Sequence, residues 1–535
     1  MHLIGQFSTL VVASVLLAIC DARPAPVATT THISRTTAMR IDVEELSLAD
    51  AQKKLASGEW SSHALTQGYL DRIAALDRSG PKLDAVIELN PDALTDADAL
   101  DAERKSGKLR GPLHGIPVLI KDNIDVVGMV TSAGSLALTD NRPSHDAFLV
   151  QRLRAAGVVI LGKTNLSEWA NFRSTHSISG WSSRGGQTKN PYALDRNPCG
   201  SSAGTGAGIA ASLAMVGVGT ETDGSIICPS SQNGLVGLKP TVGLVSRNGI
   251  IPISISQDTG GPMGRSVADV AALLNVLAAM DEKDPVGAAS AGHIPHDYSA
   301  FLKTDALKGK RFGVLRQSMG NLPVVDAAVE RSIATLTAAG AEIVDVKIDT
   351  WGKWDDIELD VLLYEFKDGL NAYLRNSGAS KTSLADLIAW NKQHANEAMP
   401  LFDQELFEQA QAKGPLSDAA YVKAHAEAHR MAGTEGLMRA LSANHLDALI
   451  APAVGPAWPI DPVLGDHDIG SGSGVAAVAG TPSITVPMGN ARGLPLGLVF
   501  MGPAWSEGPL LGYAYAFEQA THARRKPEYK PTIGE

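Results

Sequence analysis

The chain has 535 residues, of which 44% are hydrophobic and 19% charged, and this composition excludes wholesale disorder. Its formal net charge of −11 disfavours a phosphate-neutralising surface and therefore nucleic-acid binding. Three cysteines exclude a disulfide framework and a Cys-rich metal site. The sequence is that of an enzyme-sized globular protein.

The N-terminal segment has the pattern of a secretory signal peptide. An apolar run from Leu3 to Cys20 is followed by small residues and a Pro/Thr-rich stretch that reaches Thr37. We expect a signal peptide over residues 1–22 and a linker over residues 23–40. The protein would then be exported, to the periplasm or out of the cell.

Three alternatives to a cleaved signal peptide stay open. The start of the chain carries His2 but no Lys or Arg, which is unusual for a signal peptide. The segment could be an uncleaved membrane anchor, Cys20 could carry a lipid, or the true start could be Met39. No later segment is long and apolar enough to be predicted as a membrane span.

In chain order, capping residues and apolar periodicity predict helices at about 47–58, 61–76, 150–156, 324–339 and 510–521. Apolar runs predict strands at about 112–120, 158–161, 312–315, 343–346, 448–450, 483–486 and 496–500. Residues 180–230 are rich in Gly, Ser and Thr, whereas residues 355–442 are polar and mostly helical in pattern. Strands that alternate with helices predict an α/β fold.

Three local motifs match known sites but fail in their context. Residues 157–164 satisfy the P-loop expression, yet their variable positions are the strand-forming run VVIL. Residues 200–204 match a nucleophile elbow, but a polar loop with two prolines precedes them instead of an apolar strand. His425 and His429 are one helical turn apart, but Glu427 does not directly follow the first histidine as a zinc protease requires. We expect none of the three to form the functional site.

Two glycine- and serine-rich segments, 199–208 and 219–229, are the strongest candidates for a site. Glycine lets a backbone approach a reacting carbonyl, and consecutive N–H groups on such a loop can converge on an oxyanion. A glycine-rich turn between packed elements would have the same composition. The rest of the chain favours the functional interpretation.

Several segments, in this order along the chain, resemble the amidase signature family. They are 113–123 (LHGIPVLIKDN), 161–171 (LGKTNLSEWAN), 199–208, 219–229, 234–241, 480–483 and 493–498. The resemblance covers about residues 41–525 and implies one amidase signature domain over 41–530, with a large mixed β-sheet covered by helices on both faces. Residues 167–174 and 219–225 are most similar to bacterial peptide amidases, which remove the C-terminal amide of peptides.

The resemblance implies a catalytic triad of Lys121, Ser201 and Ser225. Ser201 would follow a cis peptide bond, Ser202 would support the triad, and Ser225 would be the nucleophile. A serine hydroxyl needs a base, and lysine can serve as one when burial keeps it neutral. For Lys121 alone, a structural salt bridge with Asp122 is the alternative.

The resemblance also implies an oxyanion hole built from the N–H groups of Thr222, Asp223, Gly224 and Ser225. No metal or organic cofactor is implied. Two positions depart from the usual family pattern. Ala203 stands where glycine is frequent, so its backbone must avoid positive φ. Asp223 also stands where many members have glycine, which again favours the peptide amidases.

Two cysteines flank the two serines of the expected triad. Cys199 precedes Ser201, and Cys228 follows Ser225. We expect both to be buried small residues, because free cysteine packs as a small hydrophobe. A disulfide between them stays open for an exported protein.

The sequence therefore predicts a serine hydrolase that cleaves the C-terminal amide of peptides or amino-acid amides and releases ammonia. Residues 355–442 are expected to shape its substrate pocket. A general aliphatic, aryl or acyl amidase is the first alternative. The others are a catalytically inactive binding protein and the A-type subunit of an amidotransferase. The transferase needs cytosolic partners, and the inactive protein would not need all three triad residues. Apart from a small-molecule or peptide substrate, no partner is predicted.

Overall fold

An eleven-stranded mixed β-sheet organises residues 41–534, which are the part of the chain that the computed structural model describes. The predicted signal peptide and linker lie outside these described residues. From Ile41 onward the chain forms one compact unit. Within residues 41–534, no helix has the length and apolar character needed to cross a bilayer.

The strands, in chain order, are β1 Val86–Leu89, β2 Pro117–Lys121, β3 Val159–Thr164, β4 Trp181–Ser182, β5 Gly186–Gln187, β6 Val216–Glu221, β7 Val236–Lys239, β8 Thr259–Gly264, β9 Arg311–Leu315, β10 Glu342–Val346, β11 Ala448–Pro452, β12 Ser483–Ala491 and β13 Leu494–Met501. The large sheet has the order β1-β3-β2-β6-β8-β7-β12-β13-β11-β9-β10, and β4 pairs with β5 separately. The pairs β2–β3, β2–β6, β9–β10 and β9–β11 are parallel. The other pairs are antiparallel.

The helices are α1 Leu48–Ser57, α2 Ser62–Leu76, α3 Ala93–Lys105, α4 Phe148–Ala155, α5 Ala203–Ala210, α6 Ile227–Gln232, α7 Val267–Leu277, α8 Pro323–Ala338, α9 Asp355–Asn376, α10 Leu384–Gln393, α11 Ala395–Ala398, α12 Glu405–Ala412, α13 Ala419–His429, α14 Met438–Ala443, α15 Gly474–Val478 and α16 Glu507–Thr521. A π-helical segment, Arg430–Leu437, joins α13 to α14. Short 3-10 segments are Leu136–Leu138, Glu168–Asn171, Gly287–Ser290, Tyr298–Phe301 and Arg316–Ser318.

Both faces of the sheet are buried. Successive side chains of a strand point to opposite sides, so neighbouring strand residues belong to different cores. Ile450 and Phe500 belong to the main core, which also contains apolar residues of α8 and α16. Their strand neighbours Leu449 and Val499 belong to a second core, with apolar residues of α13, α14 and α15. The fold is therefore α/β, with helices on both faces of a mixed sheet, as predicted.

The predicted unit of strand, helix and strand is present as β9, α8 and β10, and the two strands are parallel. The strand expected at 112–120 is shorter and begins at Pro117, because residues 112–115 form a turn. Gly115 in that turn has φ +82°, and a Cβ there would lie 2.1 Å from Ser62 Oγ. Glycine is required where the backbone is left-handed and this close to a neighbour.

The helices of residues 355–442 pack beside the predicted site. Phe366 of α9 and Phe407 of α12 share a third core with Trp169 and Phe172. The ring centroids of Phe172 and Phe366 are 5.0 Å apart. Helix α9 is thereby held against the segment that follows β3, and its Leu362 lines the cavity described next.

Candidate active site

A cavity of about 330 Å³ lies beyond the end of β6 and is lined by parts of both glycine- and serine-rich segments. Of the predicted site residues, Thr222, Asp223, Gly224 and Ser225 line it. A second cavity, of about 240 Å³, lies between residues 487–495 and the C-terminal segment, and none of the predicted site residues lines it.

Lys121, the last residue of β2, is completely buried. Its Nζ lies 2.8 Å from Ser201 Oγ, 2.8 Å from Thr220 Oγ1 and 3.2 Å from the Thr220 carbonyl oxygen. Among residues 41–534, no carboxylate lies within ion-pair distance of this Nζ. Burial therefore lowers the pKa of Lys121 to about 7, although the charges of Asp258 and Glu221 act in the opposite direction.

Asp122 pairs with other cations, so the salt-bridge alternative for Lys121 is wrong. Its Oδ1 lies 3.2 Å from Lys163 Nζ, and its Oδ2 lies 3.3 Å from the Arg184 guanidinium. Lys163 belongs to the segment that matches the P-loop expression. That segment is largely strand β3, whose six residues are all buried, and so it is not a phosphate-binding loop.

Ser201 is buried beside Lys121, and the peptide bond between Gly200 and Ser201 is cis. The hydroxyl of Ser202 donates to the Thr220 carbonyl oxygen at 3.1 Å and accepts from the Thr220 N–H at 3.2 Å. Because both bonds go to the backbone of β6, the Ser202 side chain holds this strand beside Lys121 and Ser201. Ala203 begins α5 and does not have positive φ, so the departure from glycine is accommodated.

Ser225 lies on the cavity wall and is 8% exposed. Its carbonyl oxygen accepts the N–H of Ser202 at 3.2 Å, which brings the two serine segments together. Within the described residues, its hydroxyl has no hydrogen-bond partner, and no bond joins it to Ser201 Oγ. Catalytic hydrogen bonds are often long before a substrate binds.

The predicted oxyanion loop follows β6 directly. Gly224 has φ +75°, a left-handed conformation that turns the loop back towards α6. Thr222 Oγ1 donates to Asp258 Oδ1 at 2.6 Å and anchors the loop. Among residues 41–534, the N–H groups of Thr222, Asp223 and Ser225 have no hydrogen-bond acceptor. The N–H of Gly224 instead faces the Glu221 carboxylate, whose pKa is raised by burial although this N–H acts in the opposite direction.

Thr220 is a site residue that the sequence analysis missed. Its Oγ1 accepts from Lys121 Nζ and, at 3.0 Å, from Asn123 Nδ2. Its N–H donates to the Ser202 hydroxyl, and its carbonyl oxygen accepts from the same hydroxyl. Thr220 comes immediately after Gly219, where a Cβ would lie 2.8 Å from Ser202 Oγ. The sequence indicated Thr220 only by its position inside a glycine-rich segment. That was not enough, because a threonine near the end of a strand is not by itself a sign of a catalytic site.

Cys199 and Cys228 form a disulfide bond, with Cα atoms 5.9 Å apart. The expectation that both are unpaired small residues is therefore wrong. The bond joins the loop before Ser201 to helix α6, which follows Ser225. Residues that are 29 positions apart in the chain meet here because the two serine segments share one cavity wall.

Asp223 faces the cavity and has no ion-pair partner within the described residues. Its side chain is open to the cavity, but the surrounding protein displaces enough water to raise the pKa of its carboxyl to about 7, and the nearby charges of Glu221 and Asp355 act in the same direction. Burial likewise raises the pKa of Glu358, on α9, to about 8. The charge of Asp223 acts in the same direction on Glu358.

The amidase family model matches residues 64–511. A solved structure of native peptide amidase from Stenotrophomonas maltophilia is 55% identical, with a TM-score of 0.87, and the match covers 91% of this chain and 99% of that one. A probable amidase of Arabidopsis thaliana is 39% identical over 91% of each chain. A glutamyl-tRNA(Gln) amidotransferase subunit of Acinetobacter baumannii is 35% identical over 90% of this chain and 98% of its own length. The chain therefore belongs to the amidase family of amide-hydrolysing enzymes.

Proposed function

We propose that the protein hydrolyses the C-terminal amide of peptides or amino-acid amides and releases ammonia. The observation that carries this proposal is the buried Lys121 in contact with Ser201, at the wall of a cavity that Ser225 also lines. The 55% identity to a peptide amidase over most of both chains supports the choice of substrate within the family.

The chemistry begins with a neutral Lys121. Two N–H groups of a neutral amine can donate to the carbonyl and hydroxyl oxygens of Thr220, which leaves its lone pair to accept the Ser201 proton. Ser201 in turn takes the proton of Ser225. The three polar contacts of Lys121 Nζ thus match the capacity of a neutral amine, and among residues 41–534 no carboxylate lies within ion-pair distance to hold it in the charged form.

Bond formation and cleavage then occur at Ser225. Its oxygen attacks the amide carbonyl carbon, and free N–H groups of the loop 222–225 stabilise the oxyanion. The C–N bond breaks as Ser201 returns a proton to the nitrogen, which leaves as ammonia. Water attacks the resulting ester, the carboxylic acid leaves, and Ser225 regains its proton.

We also propose that the protein works outside the cytosol. The disulfide between Cys199 and Cys228 is the supporting observation, because such bonds persist in oxidising compartments. The signal-peptide pattern of residues 1–22 agrees with it. An exported enzyme would lack the cytosolic partners of an amidotransferase, which makes hydrolysis the better proposal despite the 35% identity to an amidotransferase subunit.

Ammonia release from a panel of amides tests the proposal. We expect kcat/KM for a C-terminally amidated dipeptide to exceed that for benzamide and for a long-chain acyl amide. If the acyl amide is hydrolysed at least tenfold faster, a difference of about 1.4 kcal/mol in transition-state binding, the peptide specificity is wrong. Glutaminase activity that emerges only with partner proteins would support the amidotransferase instead.

A further inference from the structure

The catalytic cavity is lined by carboxylates without a compensating cation. Asp223, Asp466 and Asp468 all line it, whereas none of its described lining residues is Lys, Arg or His. With a pKa of about 7, Asp223 is only partly ionised at neutral pH, so it contributes less charge than a free carboxylate. A concave site lined by one sign of charge, with low-dielectric walls, attracts ligands of the opposite sign. The negative charge of the lining therefore affects which amides the cavity accepts.

Asp466 is held in place by neutral donors. Its carboxylate accepts from the Ser179 N–H at 3.0 Å, from Asn197 Nδ2 at 3.1 Å and from Trp458 Nε1 at 3.1 Å. These bonds orient the carboxylate, but none of the donors carries a positive charge that would cancel its own.

Asp468 is exposed, and within residues 41–534 its carboxylate has neither a hydrogen-bond donor nor an ion-pair partner. Its neighbour His467 points to Asp461 instead, at 3.7 Å. Asp468 is therefore a free carboxylate at the cavity wall, available to a ligand.

The surroundings of these carboxylates suit an amphipathic cation. Trp458 and Val454 line the same cavity and belong to the same stretch of chain as Asp468. Lysine and arginine side chains place an apolar stem along such surfaces and keep the charged end near water or a carboxylate. The largely buried Ser225 hydroxyl, which has no partner in the described chain, independently marks this cavity as the place where an amide binds.

We infer that the cavity selects amides of positively charged residues, such as lysine or arginine amides, and that Asp468 confers this preference. The inference rests on the proposed function and narrows its substrate class. Opposite charges about 6 to 7 Å apart at a protein surface interact strongly enough to change kcat/KM by about tenfold. The same field repels an acidic side chain, so the contrast between lysine and glutamate amides exceeds that between lysine and glutamine.

The test uses three acetylated dipeptide amides, acetyl-Gly-Lys-NH₂, acetyl-Gly-Gln-NH₂ and acetyl-Gly-Glu-NH₂, with ammonia as the readout. Acetylation removes the N-terminal charge, so only the side chain differs. We expect kcat/KM for the lysine amide to exceed that for the glutamate amide by at least about tenfold at low salt. This ratio should fall steeply near 1 M salt, where the screening length is about 3 Å.

Two variants test whether Asp468 causes the preference for the lysine amide over the glutamate amide. Asp468→Asn should lower the lysine-to-glutamate ratio at least threefold. Asp305→Asn is the matched control, because Asp305 is exposed and does not line the cavity, yet its substitution removes the same charge. The ratio of the control should equal that of the unmodified protein.

The outcomes separate the two proposals. Equal kcat/KM values for the three amides would overturn the charge preference and leave peptide-amide hydrolysis intact. An equal drop of the ratio in Asp468→Asn and Asp305→Asn would assign the preference to the net charge of −11 and also overturn the role of Asp468. Absence of ammonia from all three amides would overturn the proposed function itself, and the charge preference with it.

Discussion

At the scale of single residues, the burial of Lys121 determines what this amine can do. Burial of a cationic amine with no carboxylate within ion-pair distance costs free energy, so the neutral form of Lys121 becomes accessible near pH 7. Thr220 supplies two oxygens to the same Nζ, and neither carries a charge that would favour the ammonium form. Lysine is thereby suited to accept a proton at physiological pH.

Activity should therefore rise with pH through about 7, the pKa of Lys121, because only the neutral amine accepts the Ser201 proton. A pH profile of kcat/KM on a dipeptide amide measures this. Lys121→Met should lower kcat/KM by about 10²- to 10⁴-fold, the usual contribution of a general base. A profile that falls through pH 7 would contradict the role of the neutral amine.

The same substitution should not destabilise the protein. With a pKa near 7 in the folded state and 10.5 in the unfolded state, Lys121 binds more protons when unfolded, so its contribution to stability is lost as pH falls from 10.5 to 7. Lys121→Met should remove this part of the pH dependence and unfold near pH 7 at the same or a higher temperature. Loss of folding, followed by circular dichroism, would indicate a structural role instead.

The resemblance to the amidase signature family was sufficient to predict that Lys121, Ser201 and Ser202 lie together. The sequence could not show that Asp122 binds Lys163 and not Lys121, because the choice between these two lysines depends on the register of β2 against β3. Nor did the resemblance identify Thr220, whose contacts follow from the geometry of a strand end.

At the scale of elements, the disulfide joins the loop before Ser201 to helix α6 after Ser225. The chain-entropy model gives about 3.6 kcal/mol of stabilisation for a loop closed over 29 positions. We expect the double substitution of Cys199 and Cys228 by serine to lower the free energy of unfolding by about that amount, measured by guanidinium denaturation.

A reductant provides the control for this prediction. It should lower the melting temperature of the unmodified protein and leave that of the double serine variant unchanged. An equal response of the two proteins would show that the disulfide does not stabilise the fold. The sequence left this pairing open because a separation of 29 residues does not reveal proximity in space.

The boundaries of elements were less predictable than their type. The final helix begins at Glu507 instead of about 510, and β12 continues to Ala491, well beyond the predicted 486. Strand β12 extends because it pairs with β13 along its length, and that partner cannot be read from local periodicity.

At the scale of the whole molecule, the compact unit begins at Ile41. A chain lacking residues 1–40 should therefore fold, and it should keep the melting temperature and amide-hydrolysing activity of the longer chain. A chain lacking residues 1–60 is the matched control. It loses α1, whose Leu48, Ala51 and Leu55 are buried, and each buried leucine contributes about 1.5–3 kcal/mol.

Differential scanning calorimetry of the two truncated chains distinguishes the outcomes. A lower melting temperature for the chain that starts at Ile41 would show that the first 40 residues belong to the folded unit. The α/β class and the family resemblance followed from the sequence because motifs are spread over most of the chain. The order of the eleven strands did not, since it depends on long-range pairing.

The central claim is that Ser225 forms the covalent intermediate, and trapping this intermediate tests it most directly. The protein is treated with a serine-directed phosphonate, and the modified peptide is identified by mass spectrometry. We expect a single adduct on Ser225 that is absent from Ser225→Ala, because the Ser225 hydroxyl faces the cavity whereas that of Ser202 is bonded twice to Thr220. An adduct on Ser202, with amide hydrolysis preserved in Ser225→Ala, would contradict the account.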